Sequence, residues 1–239
     1  MTEPELSPAP SDGPPPAARP AGLLATLYRD EWAQWRAHYR PCFKAALRAL
    51  GLGFVLGFAV FLIWPAQEKK ALLLLLKALK DIPLGAPPLI LALTIFYHNA
   101  RASLLAVAAG AFPILCLPIL DPFVNGAALG LLASVSKHQG LNVPLLFLKS
   151  VLPHGLFELP AVLYAASAGI HLSLTLGRAI FAWWKKRRAP AVEGAATETG
   201  PAALVANGLA AVARSFVLVV LPLLLVAAFI EAFVTPRLG

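Results

Sequence analysis

Long apolar runs, separated by short charged or proline-containing breaks, make up most of this chain. About 20 apolar residues are enough for one helix to cross a bilayer, and five runs come close to this length or exceed it. The predicted spans are residues 44–64, 100–119, 122–136, 159–182 and 209–233. The pattern therefore predicts an all-α, polytopic membrane helix bundle with about five spans.

Two further segments are too charged or too short to cross and predict helices in the membrane interface. Residues 67–81 combine a leucine run with four lysines. Residues 86–98 open an apolar stretch that is longer than a single span needs. We expect interfacial helices in both segments, with the second one ending at His98-Asn99, before the span at 100–119.

Residues 143–155 are apolar but too short to cross, and Pro153 and Gly155 interrupt them. Irregular backbone at membrane depth must be buried in protein or line a polar cavity, because lipid offers it no hydrogen bonds. The sequence therefore predicts a re-entrant segment at 143–155, which returns to the side it came from and leads into the fourth span.

The region before the first span divides into two parts. Residues 1–20 are rich in proline and alanine and predict a disordered tail. Residues 21–43 place apolar side chains at steps of three or four, which predicts a cytoplasmic amphipathic helix. This helix either packs on its own chain or lies among lipid headgroups. Its apolar stripe consists of Leu24, Tyr28, Trp32, Trp35 and Tyr39.

Positive charges at the ends of the spans predict the orientation. Trp183-Trp184 is followed by four cations at 185–188, which is typical of a cytoplasmic membrane interface. The transmembrane domain is expected to cover residues 44–236, with a flexible cytoplasmic linker at 189–207. With a cytoplasmic N-terminus and five crossings, most lysines and arginines lie on the cytoplasmic side, so this orientation is predicted.

Composition supports a membrane protein and argues against a nucleic-acid partner. Hydrophobic residues make up 59% and charged residues 13% of the chain, against about 45–50% and about 25% in soluble domains. The net charge is +8, but the basic residues gather at the ends of apolar runs, as in membrane proteins generally. The lipid bilayer is therefore the expected partner, and no nucleic acid is expected.

Ionisable and amide side chains interrupt the apolar runs at four places. At membrane depth such groups are costly unless they are paired or hydrated. The four places are His98/Asn99/Arg101, Asp121/Asn125, His154/Glu158 and Glu231. Arg101 is the cation of this set, with Glu158 and Glu231 as its candidate partners. We expect a buried polar core that either fixes helix packing, which the sequence favours, or carries a ligand or proton path.

The candidate residues lack the patterns of an enzyme or a metal site. His154 and Glu158 share a helix face, but two ligands are too few, and no HExxH motif or cysteine set is present. Ser150 near His154 is not a catalytic triad, and neither GxSxG nor SxxK occurs. Cys42 and Cys116 have no metal-binding spacing. We therefore expect no enzyme activity, no metal and no cofactor.

Small residues recur at helical spacing in two spans. Gly53 and Gly57 form a GxxxG motif, and Gly126, Gly130 and Ser134 repeat every four residues. Such stripes allow two helices to approach closely. They are compatible with a homodimer and equally with packing inside one chain.

The polar positions also form an ordered set of motifs. These are Phe96-x-x-Asn99-x-Arg101, Asn125-Gly126-x-x-x-Gly130, Pro153-His154-Gly155-x-x-Glu158-x-Pro160, and Phe229-Ile230-Glu231 near the end of the last span. Together they resemble the stage II sporulation protein M family over roughly residues 22–236. The Pro-His-Gly-x-x-Glu run is the most specific part of the resemblance.

The resemblance implies a multi-span, all-helical protein of the bacterial inner membrane. The family's namesake looks like a scaffold. It recruits two cell-wall-degrading partners to the septal membrane and does not itself hydrolyse the wall. A scaffold or assembly role in the cell envelope is therefore expected here, with wall hydrolases or other envelope proteins as partners. The alternative is a transporter or channel component that uses the re-entrant segment, with Glu158 and Arg101 at its polar site.

Overall fold

The computed structural model describes residues 22–78, 85–113, 117–188 and 200–237. The predicted tail at 1–20, Cys116, residues 79–81 of the predicted interfacial helix and residues 189–199 of the predicted linker lie outside these ranges. Within them the chain is almost entirely helical. The α-helices are α1 Leu23–Gln34, α2 Arg40–Ile63, α3 Pro65–Ala78, α4 Pro88–Ala109, α5 Leu120–His138, α6 Val143–Leu146, α7 Leu152–Arg188, α8 Pro201–Ser215 and α9 Leu221–Phe233.

Wide π-helical turns join several of these helices into longer rods. They cover Trp35–Tyr39, Phe147–Val151 and Phe216–Val220, and so connect α1 to α2, α6 to α7 and α8 to α9. A π turn takes up an extra residue without ending a helix. The resulting rods are therefore longer than the apolar runs from which the spans were predicted.

Five helical stretches of the described chain are long and apolar enough to cross a membrane. They are Leu23–Ile63, Pro88–Ala109, Leu117–His138, Val143–Lys185 and Ala202–Arg237. No strand occurs among the described residues. The predicted all-α, polytopic helix bundle is confirmed.

The predicted division of the second apolar region is wrong. Instead of an interfacial helix at 86–98 and a span at 100–119, one helix, α4, continues from Pro88 past the predicted break and ends at Ala109. The polar pair His98-Asn99 lies in its middle rather than at a break. Asn99 finds a hydrogen-bond partner on another helix, so its amide does not require the helix to end.

The predicted re-entrant segment at 143–155 is also wrong. The chain is helical without a break from Val143 to Arg188. Pro153 is the second residue of α7 and Gly155 follows it two positions later, and neither ends the helix. Residues 201–207 of the predicted linker belong to α8, which begins at Pro201.

Two rows of glycines hold α2 and α5 in backbone contact. Gly53 and Gly57 pack on the part of α5 that contains Gly126 and Gly130, and all four are buried. A Cβ atom built on Gly57 would lie 2.6 Å from the carbonyl oxygen of Ala127, too close for any side chain. The contacts advance in the same order along both helices, so α2 and α5 run parallel. Both stripes are thus occupied within one chain.

The central element of the bundle is α7. Its residues from 161 to 173 are all buried, and α2, α4, α8 and α9 pack around it. α4 runs parallel to α7. Asn99 contacts Glu158, and further along both chains Gly110, just after α4, contacts Gly169 of α7. α7 therefore positions the polar groups of its neighbours.

Candidate functional site

Four polar side chains from three helices meet inside the bundle. His154 and Glu158 come from α7, Asn99 from α4 and Glu231 from α9. We call this group the His154 cluster. One ligand-type atom each of His154, Glu158 and Glu231 lies within 4.8 Å of the others, and all three residues are half-buried.

Helix geometry explains how the cluster assembles. His154 and Glu158 are four residues apart and therefore lie on one face of α7. The parallel course of α4 brings Asn99 to the same level. The rod of α8 and α9 runs antiparallel to α7, because Gly208 lies against Thr175 near one end and Glu231 reaches Glu158 near the other. Residues far apart in sequence thus share one site.

Hydrogen bonding within the cluster is incomplete. Asn99 Nδ2 donates to Glu158 Oε1 over 3.1 Å, and His154 Nε2 lies 3.9 Å from Glu158 Oε2. His154 Nδ1 is buried without a hydrogen-bond partner among the described residues. A buried polar atom in this state loses its water without compensation.

Arg101, which the sequence suggested as the cation for Glu158 or Glu231, lies apart from the cluster. Its side chain is exposed, and none of the ion pairs among the described residues includes it. It follows Asn99 by two positions, and two residues along an α-helix point to different faces. The cluster therefore holds two carboxyl groups and one imidazole, with no arginine or lysine paired to them in the described chain.

The other predicted residues lie elsewhere. Asn125 donates to the carbonyl oxygen of Asp121 over 3.0 Å, one turn earlier in α5, and the neighbouring Gly126 and Gly130 serve the contact with α2. Two residues flank the cluster on α7 itself. Pro153 directly precedes His154. Gly155 is buried, and a Cβ atom built on it would make ordinary contacts of 3.7 Å with Val151 and 4.0 Å with Leu159.

Pro160 lies inside α7, two residues after Glu158. It lines an open apolar groove with Leu159 and Leu163 on its own helix and Leu47 and Leu50 on α2. The predicted site residues thus divide into the His154 cluster, a glycine contact, an apolar groove and the exposed Arg101.

A second buried polar group was missed from the sequence. Glu31 of α1 is only 3% exposed. Its carboxylate accepts hydrogen bonds from Tyr164 Oη at 2.7 Å, Ser215 Oγ at 2.6 Å and Arg214 Nε at 3.0 Å. Tyr39 Oη is hydrogen-bonded to Ser215 Oγ at 3.0 Å. We call these five residues the Glu31 network; it ties α1 to α7 and α8.

Sequence spacing contains a signal for this network. Glu31, Trp35 and Tyr39 follow each other at steps of four, so Glu31 belongs to the aromatic face of the helix and not to its polar face. Trp35 stacks on Tyr164 with ring centroids 5.3 Å apart, whereas Trp32 is 61% exposed. The first helix therefore packs on its own chain with one side and leaves aromatic surface on the other.

The His154 cluster is also the place where the described residues could hold a metal ion. An imidazole nitrogen and two carboxylates are common metal ligands, and their atoms are already close together. The Glu31 network could not serve this purpose, because Arg214 already occupies the carboxylate.

These features define the class of protein, a polytopic helical membrane protein with polar groups shared among its buried helices. A family model described as Stage II sporulation protein M matches residues 45–236. The chain belongs to the stage II sporulation protein M family. Comparison with curated proteins and with solved structures gives no match.

The region that the family model matches includes one of the two polar groups completely and the other only in part. Every residue of the His154 cluster lies inside 45–236, whereas Glu31 and Tyr39 precede that region. The cluster therefore belongs to the part of the chain that the family model covers, and the Glu31 network joins that part to a helix outside it.

Proposed function

We propose that this chain is a scaffold of the bacterial inner membrane that organises peptidoglycan-remodelling or other envelope proteins. The observation that carries the proposal is the family match over residues 45–236, since the resemblance implies recruitment of cell-wall-degrading partners. In this proposal the chemistry belongs to the partners and not to this chain.

Packing inside the bundle supports a static body. The residues of α7 from 161 to 173 are all buried. They follow the His154 cluster along α7 and reach the level at which α4 ends. A Cβ atom on Gly110 would collide with the backbone of Gly169, so α4 and α7 touch directly. Interiors packed this closely resist deformation, which suits a scaffold that holds partners in fixed positions.

Helix directions support five crossings, and the cations that follow Trp183-Trp184 support a cytoplasmic N-terminus. α2 and α5 run parallel, as do α4 and α7, and α9 runs antiparallel to α7. α2 also runs antiparallel to α7, because His38, just before α2, stacks on His171, whereas Leu50 lies beside Leu159. Successive long rods therefore alternate in direction, as five crossings require. A reporter fused after the last residue should then be active only outside the cytoplasm, and cytoplasmic activity would contradict the orientation.

Co-purification from the native host tests the scaffold role. The full chain, solubilised in mild detergent, should return the same envelope proteins in repeated stringent pull-downs. A matched control is the variant Gly126→Leu, whose side chain would collide with the backbone of α2 and should separate α2 from α5. Loss of the partners in this variant supports the proposal. A wild-type chain that returns alone contradicts it.

A transporter or channel component is the second candidate, and the His154 cluster is the observation that favours it. Two carboxyl groups and an imidazole inside membrane-competent helices are typical of ion and proton pathways. In proteoliposomes, Glu158→Gln should then abolish a flux that Glu68→Gln, a control on α3, leaves intact. Wild-type vesicles that pass no ion or small solute would count against this candidate.

A further inference from the structure

We propose that His154, Glu158 and Glu231 bind one divalent metal ion, of the kind represented by Zn²⁺ or Mn²⁺, and that this ion ties α7 to α9. The inference goes beyond the proposed function and does not depend on it. An ion in this position would hold the same two helices together in a scaffold or in a transporter.

Distances within the cluster are close to those of a metal site. Bonds of about 2.0–2.2 Å from a metal to nitrogen and oxygen place neighbouring ligands roughly 3–4 Å apart. His154 Nε2 and Glu158 Oε2 are 3.9 Å apart, and the Glu231 ligand atom completes a triangle whose sides do not exceed 4.8 Å. The triangle is therefore only slightly wider than a metal site requires, by about 1 Å at most.

Charge is the second line of support. Two carboxylates at one half-buried point repel each other, and both stay charged there only if a cation compensates. Elsewhere in the described chain, buried Glu31 has the guanidinium of Arg214. Within the described ranges the cluster has no such partner, and Arg101 is exposed. A divalent cation would neutralise both carboxylates at once.

Asn99 supplies the kind of support that metal-binding carboxylates have. In metal sites the ligands are themselves held by hydrogen bonds from an outer set of residues. Asn99 Nδ2 binds Glu158 Oε1 over 3.1 Å, so that Oε2 is left on the side of His154. Asn99 is therefore a positioning residue, which orients one ligand from a third helix.

The set of donor atoms narrows the choice of metal. Ca²⁺ and Mg²⁺ prefer sites made of oxygen alone, whereas an imidazole suits transition metals and zinc. One nitrogen and two carboxylates fit Zn²⁺, with water in the remaining position, and also Mn²⁺. We therefore expect binding of these ions in preference to Mg²⁺.

Metal content of the purified full chain tests the proposal directly. The protein should be prepared with an affinity tag that contains no histidine and then measured by inductively coupled plasma mass spectrometry. Wild type is expected to carry about one equivalent of metal per chain, and Glu231→Gln at least about tenfold less, since ligand sets of this size depend on every member. Less than about 0.1 equivalent in wild type, before and after incubation with Zn²⁺ or Mn²⁺, overturns the proposal.

Glu68→Gln is the matched control. Glu68 Oε2 lies 2.9 Å from His138 Nδ1, so this pair resembles His154–Glu158, but no third ligand lies beside it among the residues that the structure describes. The control variant should keep the full metal content. If Glu68→Gln loses the metal and Glu231→Gln keeps it, the ion lies at the other pair and the proposal is wrong.

A measurement on wild type alone covers the case that Glu231→Gln does not fold. Removing metal with a chelator should lower Tm, and returning Zn²⁺ or Mn²⁺ at a hundredfold excess over Kd should raise it by about 5–10 °C. Mg²⁺ at the same concentration should have no effect. A Tm that responds to neither chelator nor Zn²⁺ and Mn²⁺ contradicts a bound ion that joins α7 and α9.

Discussion

The Glu31 network, which is buried, and the His154 cluster, which is half-buried, are both polar groups in apolar surroundings, but they differ in charge balance. In the network one carboxylate accepts hydrogen bonds from a guanidinium and two hydroxyl groups. In the cluster two carboxyl groups share one imidazole and one amide, and His154 Nδ1 has no hydrogen-bond partner among the described residues.

This difference separates a structural role from a binding role. A buried polar group whose partners are all present is complete, and its main effect is to specify how the helices pack. A carboxyl group that lacks a counter-charge either takes up a proton or gains a cation from elsewhere. The network therefore needs no ligand, whereas the cluster is arranged to receive a cation. Four predictions test this contrast, from the largest expected effect to the smallest.

Glu31→Ala should destabilise the protein by about 3–5 kcal/mol, because breaking a buried ion pair leaves the other charge and its hydrogen-bond donors without a partner. Chemical unfolding in detergent micelles measures this loss. Asp30→Ala is the control, since the Asp30 side chain is 49% exposed and surface pairs contribute at most about 1 kcal/mol. Equal losses in the two variants would mean that Glu31 is not paired as described.

Tyr164→Phe should cost about 1.5–3 kcal/mol, the usual value of one hydrogen bond to a charged group. The ring and its stacking on Trp35 remain, so the hydroxyl is the only group removed. The same unfolding experiment applies. In the Glu31→Ala background the additional loss should nearly vanish, because the acceptor is gone; a loss that stays additive would show that the two residues do not interact.

Glu231→Gln should have the opposite sign in metal-free protein. Removing one of two like charges relieves repulsion, so we expect a gain of about 1 kcal/mol in chelator-treated samples. Unfolding curves with and without chelator distinguish this gain from the loss that follows when the metal is present. A loss of stability in metal-free protein as large as that of Glu31→Ala would contradict the difference in charge balance between the two regions.

Arg101→Gln should change stability by less than about 0.5 kcal/mol, as is usual for exposed positions. A double-mutant cycle with Glu158→Gln should give a coupling energy near zero, because the two residues form no ion pair in the structure. A coupling above about 1 kcal/mol would place Arg101 at the cluster after all and provide the missing cation.

Much of the His154 cluster could be predicted from the sequence, because an ionisable residue is conspicuous inside an apolar run. Asn99, His154, Glu158 and Glu231 were all identified in this way. The distances between these residues could not be predicted, since they depend on which helices run parallel and on where the rods begin. Glu231 as a third ligand depends on an antiparallel α9, which no local pattern shows.

The Glu31 network could not be predicted from the sequence, for the opposite reason. Its carboxylate lies in a stretch with many charges, where one more acid attracts no notice, and its partners Tyr164 and Arg214 are far away in sequence. Helix breaks were overestimated for a related reason. Pro153 and Gly155 disfavour a helix locally, but the π turn before them and the packing of α7 allow the helix to continue.

The parallel contact of α2 with α5 has a consequence for biosynthesis. Gly53 and Gly57 leave the ribosome well before Gly126, which follows roughly 70 residues later, about 4–15 s at the usual rate of synthesis. During this interval the glycine face of α2 has no α5 to cover it. Any other newly inserted helix with a stripe of small residues can compete for that face, so the delay set by the order of translation leaves the chain open to pairing with the wrong helix.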